Sequence, residues 1–386
     1  MGSSHKTAFV MDRLDFLEKS GLYRRLRTLI AEGPTAKIDG KEVINLCSND
    51  YLGLSQNKQV LKKTVTALQQ VSQCSSRLIA GNHPKIIELE DLLADHRRKE
   101  SALVYPTGYA ANLGVIMTIA DKSTTIFSDE LNHASIVDAC RLSDATITVF
   151  RHNDTDHLQK LMRRGHGRKI VITEGIFSMD GDIGKLSEIQ EIADRNDAIT
   201  VIDDAHGDFI CGPAFSGMPA ELGVIFDIHV SSMSKGLGCF GGYVATTKPI
   251  RELLINTSRQ FIYTSALPVH LCSAAITAIP IAKRGHLQKR LQSNILYFSS
   301  EMKKLGFELG NSTSQIIPIM IGSEVQAVQL SEELLKEGLF AQAIRYPTVK
   351  KGQARLRTSL SAMHLQEHLD SAVNAFRRAG KKTRLL

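Results

Sequence analysis

The chain has 386 residues, 43% of them hydrophobic and 23% charged, the proportions of a globular chain with a sizeable core, which exclude disordered and collagen-like architectures. The formal charge of +7 would point to nucleic acid only beside a recognition motif, and none is present: outside Tyr23-Arg24-Arg25-Leu26-Arg27 and residues 377–384 the basic residues are dispersed, a field that suits an anionic small substrate equally well. The most apolar run, residues 272–282, is too short to span a bilayer and is interrupted by Ser273 and Thr277, so no membrane partner is expected.

In chain order, Met1 to His5 read as a ragged start or expression scar with Met11 as a candidate initiator, and residues 1–10 are set aside. Residues 12–31 carry a helical period, followed by short strands over 35–38 and 43–47 and by the turn-rich Ser48-Asn49-Asp50-Tyr51-Leu52-Gly53. Short β-branched runs then recur at 124–128, 146–150, 169–173, 199–202, 228–231 and 242–246, most of them separated by helical stretches. This is the pattern of βαβ units and predicts an α/β fold with a largely parallel sheet covered by helices on both faces. Beyond Pro268, two long helical patterns, strands at 315–321 and 354–358 and a helix over 366–379 predict a smaller α+β domain at the C-terminus. The expected division is residues 1–50 (helix and short strands), 51–275 (large α/β domain) and 276–386 (α+β domain). Cys47, Cys74, Cys140, Cys211, Cys239 and Cys272 include no C-x-x-C pair, which fits free thiols in a reducing cytoplasm. His364 and His368 stand at helical i, i+4 spacing without further ligands, so they read as a solvated helix face, and no metal is expected.

Ligands of an open parallel sheet bind at the carboxyl ends of its strands, which singles out three strand ends. Residues 199–202 run into Asp203-Asp204-Ala205-His206-Gly207, residues 169–173 into Glu174-Gly-Ile-Phe-Ser178-Met-Asp-Gly181, and residues 228–231 into Ser232-Met-Ser234-Lys235-Gly236. A lysine flanked by serine and glycine after one strand, with an acidic end on an earlier one, is what pyridoxal phosphate requires. An amine holds the cofactor as a Schiff base, and a carboxylate facing the pyridine nitrogen keeps it protonated, so that the ring works as an electron sink. Taken singly, Lys235 would be a loop lysine and Asp203 a helix cap; together they point to the cofactor. His206 lies close enough to Asp203 to reach the same ring edge. Ser232 and Ser234 offer hydroxyls, and Thr107-Gly108-Tyr109 opens an apolar helix whose N–H groups could cradle a phosphate. His133 begins another helix and could stack on an aromatic ring.

Gly236-Leu-Gly238-Cys-Phe-Gly241 spells the dinucleotide fingerprint G-x-G-x-x-G, but that motif should follow a strand and open a helix. Here it leads into residues 242–246, a strand pattern, so nicotinamide is set aside. Neither a P-loop nor a G-x-S-x-G elbow is present.

Seven motifs in order, Ser48-Asn-Asp-Tyr-Leu-Gly-Leu54, Ser76-Arg-Leu-Ile-Ala-Gly-Asn82, Thr107-Gly-Tyr-Ala-Ala-Asn112, Asn132-His-Ala-Ser135, Thr173-Glu-Gly-Ile-Phe-Ser-Met-Asp-Gly-Asp182, Asp203-Asp-Ala-His-Gly207 and Ser232-Met-Ser-Lys-Gly236, resemble the α-oxoamine synthase family. Its members are pyridoxal-phosphate enzymes of fold type I that join an amino acid to an acyl thioester with loss of carbon dioxide. The resemblance implies that Lys235 holds the cofactor and removes the amino acid's α-proton, that Asp203 pairs with the ring nitrogen, that His133 stacks on the ring and that His206 bonds the ring hydroxyl. It places Gly108, Tyr109, Ser232 and Ser234 at the phosphate, Ser178 and Asn49 near ring and substrate, and Arg357 on the amino-acid carboxylate. It implies a homodimer in which Thr264, within Tyr263-Thr264-Ser265, reaches the neighbour's phosphate, and it leaves Arg24 as one candidate for the acyl donor.

Within the family, Asn49-Asp50, Gly81-Asn82-His83 and Ala343-Ile-Arg-Tyr-Pro-Thr-Val349 with Ala354-Arg-Leu-Arg-Thr358 resemble members that use L-alanine and a pimeloyl thioester. Members using glycine and an acetyl thioester are similar in the catalytic motifs. Either coenzyme A or an acyl carrier protein could present the acyl chain. The departures, Val71-Ser-Gln-Cys-Ser75 and Pro84-Lys-Ile-Ile87, fall where larger side chains would reshape the acyl entrance. A catalytically silent homologue would have no need of Lys235, Asp203, His206 and Arg357 together.

Overall fold

Successive residues of a strand face opposite sides of its sheet, and in the centre of this chain both sides are apolar. The computed structural model describes residues 5–20 and 22–386. Near its start, Leu29–Glu32 (β1), Thr35–Ile38 (β2) and Lys41–Asn45 (β3) form an antiparallel meander, and β3 also pairs in parallel with Leu339–Phe340 from the far end of the chain. The seven-stranded sheet comprises Ser101–Tyr105 (β4), Thr124–Asp129 (β5), Thr146–Phe150 (β6), Arg168–Glu174 (β7), Ala198–Asp203 (β8), Ile228–Ser232 (β9) and Gly242–Thr246 (β10). They lie in the order β4-β10-β9-β8-β7-β5-β6. β10 is antiparallel to both neighbours, and the other adjacent pairs are parallel. The third sheet is antiparallel and contains Ile316–Gly322 (β11), Gln342–Ile344 (β13) and Ala354–Ser359 (β14), with Leu339–Phe340 (β12) lying between β11 and β13 in sequence but in the first sheet.

The large sheet separates two apolar layers. Leu103, Ile126, Ile170, Ile172, Val201, Val230 and Val244 pack on one face with the helix Gly108–Ile119. Val104, Phe127, Val171, Ile202 and Ala245 pack on the other with the helix Pro84–Arg97. Each buried Val, Leu or Ile contributes about 1.5–3 kcal/mol, which explains why the central strands are near-continuous apolar runs. The α/β expectation, with its smaller C-terminal sheet, therefore holds, and the fingerprint-like Gly236 to Gly241 turns directly into β10. β4 was not anticipated, because only three residues without a turn signal, Arg98 to Glu100, separate Ser101–Tyr105 from the helix Pro84–Arg97.

Three expectations need correction. The N-terminal helix is Ala8–Lys19, not residues 12–31, so residues 8–10, set aside above, belong to it. It ends where the Ser20 Oγ donates to the Phe16 carbonyl at 2.6 Å, and Leu29–Glu32 turns into a hairpin at Gly33, whose φ of 69° suits glycine. The arginines of 24–27 therefore lie on a non-helical segment; of the stretch Met1 to His5 read as a ragged start or expression scar, residues 1–4 lie outside the described residues. His364 is buried, not solvated, and precedes the helix Gln366–Lys382. Its Nδ1 accepts from the Ser361 N–H at 3.0 Å and its Nε2–H donates to the Asn45 carbonyl at 3.2 Å, tying β3 to the C-terminal region. The His368 Nδ1 accepts from the Leu365 N–H at 3.1 Å, capping the same helix.

Protonating His364 would set a second N–H against the Ser361 N–H, and burial pushes its pKa from 6.5 down to about 4. Between those values the unfolded chain takes up a proton that the folded chain refuses, so stability falls as pH drops through this window. His364→Gln should reduce the slope of denaturation midpoint against pH between about 6.5 and 4. A slope equal to the parent's would contradict this account.

Candidate active site

The carboxyl ends of β4, β5, β7, β8 and β9 open on one side of the sheet. They lead into Thr107-Gly108, Asp129 with His133, Glu174, Asp203 with His206, and Ser232 with Lys235. Alternation at the end of β8 divides two adjacent carboxylates. Asp203 faces the layer of the helix Gly108–Ile119, where its Oδ2 accepts from the Asn112 Nδ2 at 2.7 Å and its Oδ1 from the Ala205 N–H at 3.0 Å. Asp204 faces the opposite layer, wholly buried, where its Oδ2 accepts from the Arg97 Nη1 at 2.8 Å and the Met218 N–H at 3.1 Å. Arg97 also lies 3.1 Å from Asp208, which binds His96 at 2.9 Å and accepts from the Ser231 Oγ at 2.7 Å and the Tyr243 hydroxyl. Burial pushes the Asp204 carboxyl up to about 7 against the pull of Arg97. Burial also opposes ionisation of Asp208, but there Arg97 and His96 prevail and hold it at about 2.

On the Asp203 side, the Lys235 Nζ lies 3.1 Å from the His206 Nε2, and the His206 Nδ1 lies 2.7 Å from the Tyr51 hydroxyl. Among the described residues no carboxylate forms an ion pair with Lys235. Burial lowers its pKa, Asp203 and Glu174 oppose the shift, and Arg357 reinforces it, which favours the neutral, nucleophilic amine. Burial, then Lys235, Arg357 and His133, hold His206 well below the usual histidine value. Glu174 is pushed up by burial and by Asp203, and its Oε1 accepts from the His133 N–H. The Asn112 Nδ2 also donates to the Ser135 Oγ at 2.9 Å, and the Ser135 hydroxyl meets the His133 Nδ1 at 2.8 Å. Asp203 and His133 are thus joined through two intervening side chains.

Thr107 caps the helix Gly108–Ile119, its side chain accepting from the Ala110 N–H. A Cβ on Gly108 would come within 3.2 Å of Ser232, and one on Gly242 within 2.3 Å of the Gly108 nitrogen. The helix start is therefore bare backbone beside the Ser232 and Ser234 hydroxyls, which lie 2.8 Å apart. A cradle of N–H and O–H donors at a helix N-terminus suits a phosphate, and an amine without an ion-pair partner and a strand-end carboxylate complete a donor set that fits pyridoxal phosphate. Tyr109 is exposed, and its hydroxyl donates to Asp138.

Arg357 on β14 donates from its Nε to the Ser178 carbonyl at 2.6 Å, from Nη1 to the Ser359 Oγ at 2.8 Å and from Nη2 to the Asn49 Oδ1 at 3.1 Å. Among the described residues it meets no carboxylate. Two residues back and on the same strand face, Arg355 pairs with Asp180. Two candidates are not brought to this cluster. Arg24 lines a groove of about 500 Å³ between residues 22–26 and 342–348. Within one chain, Thr264 lies with Arg77, Pro106 and Phe261 around a small cavity, next to Tyr263, which is 73% exposed. Asn112, Ser135, Glu174 and Tyr51 were not singled out from the sequence, although each sits inside a quoted motif; for Asn112 the signal was its position one helical turn beyond Gly108.

A family model described as "Aminotransferase class I and II" matches residues 41–376. An 8-amino-7-oxononanoate synthase of Thermoanaerobacter pseudethanolicus is 41% identical over 395 aligned positions, covering 100% of both chains. Among solved structures, a serine palmitoyltransferase variant from S. paucimobilis with bound PLP and myriocin superposes with a TM-score of 0.92 at 30% identity, covering 99% of each chain. An 8-amino-7-oxononanoate synthase from Francisella tularensis superposes with a TM-score of 0.77 at 26% identity, covering 89% of this chain and 99% of that one.

Arg97→Met would leave two buried carboxylates without their guanidinium, and the expected loss is about 3–5 kcal/mol of stability, read from guanidinium chloride denaturation. A loss below about 1 kcal/mol, the scale of a surface pair, would contradict the role given to this residue.

Proposed function

The chain belongs to the aminotransferase class I and II family, and from that premise we propose that it is a pyridoxal-phosphate-dependent acyltransferase that joins L-alanine to a pimeloyl thioester. The products are 8-amino-7-oxononanoate, carbon dioxide and the free thiol, a step of biotin synthesis. The carbon–carbon bond that forms joins the α-carbon of alanine to the acyl carbonyl carbon; the bonds to the thiol sulfur and to the alanine carboxylate break, the α-proton removed at the start is replaced on that carbon once carbon dioxide has left, and the thiolate takes a proton from solvent. The observation that carries this reading is one constellation: a strand-end carboxylate (Asp203) with an amine (Lys235) and a guanidinium (Arg357) that, among the described residues, pair with no carboxylate, the three within electrostatic reach of one another. The full-length likeness to an 8-amino-7-oxononanoate synthase supports the choice of substrates.

When bound, pyridoxal phosphate supplies an electron sink for the charge left on the substrate's α-carbon. Lys235 would hold the cofactor, and its Nζ would take the substrate's α-proton; its lowered pKa leaves the amine ready to do so. Asp203, fixed by Asn112, would pair with the ring nitrogen and keep it protonated. His206, oriented by Tyr51, is assigned to the ring hydroxyl, and His133, held by Ser135, to stacking on the ring. The phosphate falls to Gly108, Tyr109, Ser232 and Ser234, with Thr264 from a second copy of the chain, and Ser178 lines the cofactor side. Arg357, braced by Asn49 and the Ser178 carbonyl, takes the amino-acid carboxylate through its fork of donors. Arg24 is assigned to the acyl donor.

Protein loaded with cofactor and given pimeloyl-CoA with an equal mixture of L-alanine, glycine and L-serine should yield 8-amino-7-oxononanoate as its mass-spectrometric product, and Lys235→Ala should yield none. Absence of any pimeloyl product, together with condensation of glycine and acetyl-CoA, would overturn the substrate assignment in favour of the glycine-using reaction.

A further inference from the structure

The Ser178 segment has a support that the proposed reaction does not use. His152, just beyond β6, places its Nδ1 3.0 Å from the Asp129 Oδ1 and its Nε2 2.8 Å from the Asp182 Oδ2. Its ring stands edge-on to Phe177, with centroids 4.4 Å apart at 84°, and its backbone N–H donates to the Glu130 Oε1 at 3.2 Å. Burial works against its charge, but the hydrogen bonds and charges of Asp129 and Asp182 dominate and raise its pKa to about 10. The ring is therefore an imidazolium donating from both nitrogens. Asn153 repeats the bridge: its N–H donates to the Asp129 Oδ2 at 3.0 Å and its Nδ2 to the Asp182 Oδ2 at 3.1 Å.

Asp129 ends β5 in the rigid sheet, whereas Asp182 closes a tight loop. In that loop the Phe177 N–H donates to the Asp182 carbonyl at 3.0 Å and the Gly181 N–H to the Phe177 carbonyl at 2.9 Å, and Ile176 bridges to Ile183 at its base. The same loop offers the Ser178 carbonyl to the Arg357 Nε at 2.6 Å and the Asp180 carboxylate to Arg355. A positive ring between two carboxylates thus fastens one end of a loop whose other end holds two arginines of β14. We propose that His152 is a positioning residue for amino-acid binding: by clamping Asp182 to Asp129 it fixes the Ser178 carbonyl, and through it aims Arg357 at the substrate carboxylate. This rests on the reading of Arg357 as the carboxylate site.

The test compares cofactor-loaded parent, His152→Asn, Asp182→Asn and Arg357→Lys proteins, titrated with L-alanine and with L-alaninamide, which lacks the carboxylate charge, while cofactor absorbance is followed. Losing one charge-assisted hydrogen bond is worth roughly tenfold in a binding constant. His152→Asn should weaken L-alanine by about that factor and leave L-alaninamide unchanged. Asp182→Asn should give the same selective loss, smaller because a hydrogen bond remains, and it carries the expectation alone if His152→Asn does not fold. A generally loosened site would shift both ligands equally. That result, or no shift in either, with Arg357→Lys still selective for L-alanine, overturns the clamp and leaves the Arg357 reading intact. Loss of selectivity in Arg357→Lys as well overturns both.

Discussion

The site depends on a guanidinium that never touches it. Arg97, buried at the end of the helix Pro84–Arg97, holds Asp204 and Asp208 together with the Tyr243 hydroxyl and the Ser216 carbonyl. Those two carboxylates bracket the turn that carries His206, and Asp204 follows Asp203 directly. The geometry available to Asp203 and His206 is therefore set from behind, by an ion-pair cluster on the opposite face of the sheet. Such a cluster costs desolvation and adds little net stability. What it provides is a turn with few alternative conformations, which a site that must hold its groups to fractions of an ångström requires.

From that turn the remaining parts follow by strand alternation and hydrogen bonding. One carboxylate goes to each face because consecutive residues must diverge. The Asp203 side receives Asn112 from the helix packed on that face, and Asn112 reaches Ser135 and, through it, His133. On the other flank, Tyr51 and His206 lead to Lys235. The amine sits amid Asp203, Glu174 and Arg357 but among the described residues pairs with no carboxylate, and burial is the largest influence on its pKa. Arg357 comes from the C-terminal sheet and is held by a loop of the large one. The role proposed for Arg357 would join amino-acid recognition to the packing of the two parts, with the 177–182 loop as the connection.

Much of the fold was legible because its signals are local. The runs that became β5 to β10 are apolar and β-branched, their spacing admits only short crossovers or helices, and the polar residues at their ends mark the open side of the sheet. β4 and β12 escaped because Ser101–Tyr105 carries no turn signal before it and Leu339–Phe340 has two residues. The N-terminal helix was drawn too long because residues 20–31 keep a helical period, while a serine cap and a hairpin with β2 decide otherwise. His364 was misread for a related reason: i, i+4 spacing carries no record of a tertiary partner, and Asn45 is 319 residues away in sequence. In the site, Lys235 and Asp203 stood out by residue type and strand-end position, and Arg357 through the family resemblance alone. Asn112 and Ser135 did not, since neutral side chains that relay hydrogen bonds look like ordinary helix residues until the fold brings them together.

The central claim is that the end of β9 delivers its lysine to the cofactor opposite Asp203. It is tested most directly by mapping the attachment point: the pyridoxal-phosphate-loaded protein is reduced with borohydride and digested, and the modified peptide is sequenced by mass spectrometry. The account predicts a single stoichiometric label on Lys235, whose yield falls in Asp203→Ala protein. A label on any other lysine, or equal labelling of Lys235→Ala and parent protein, would contradict it.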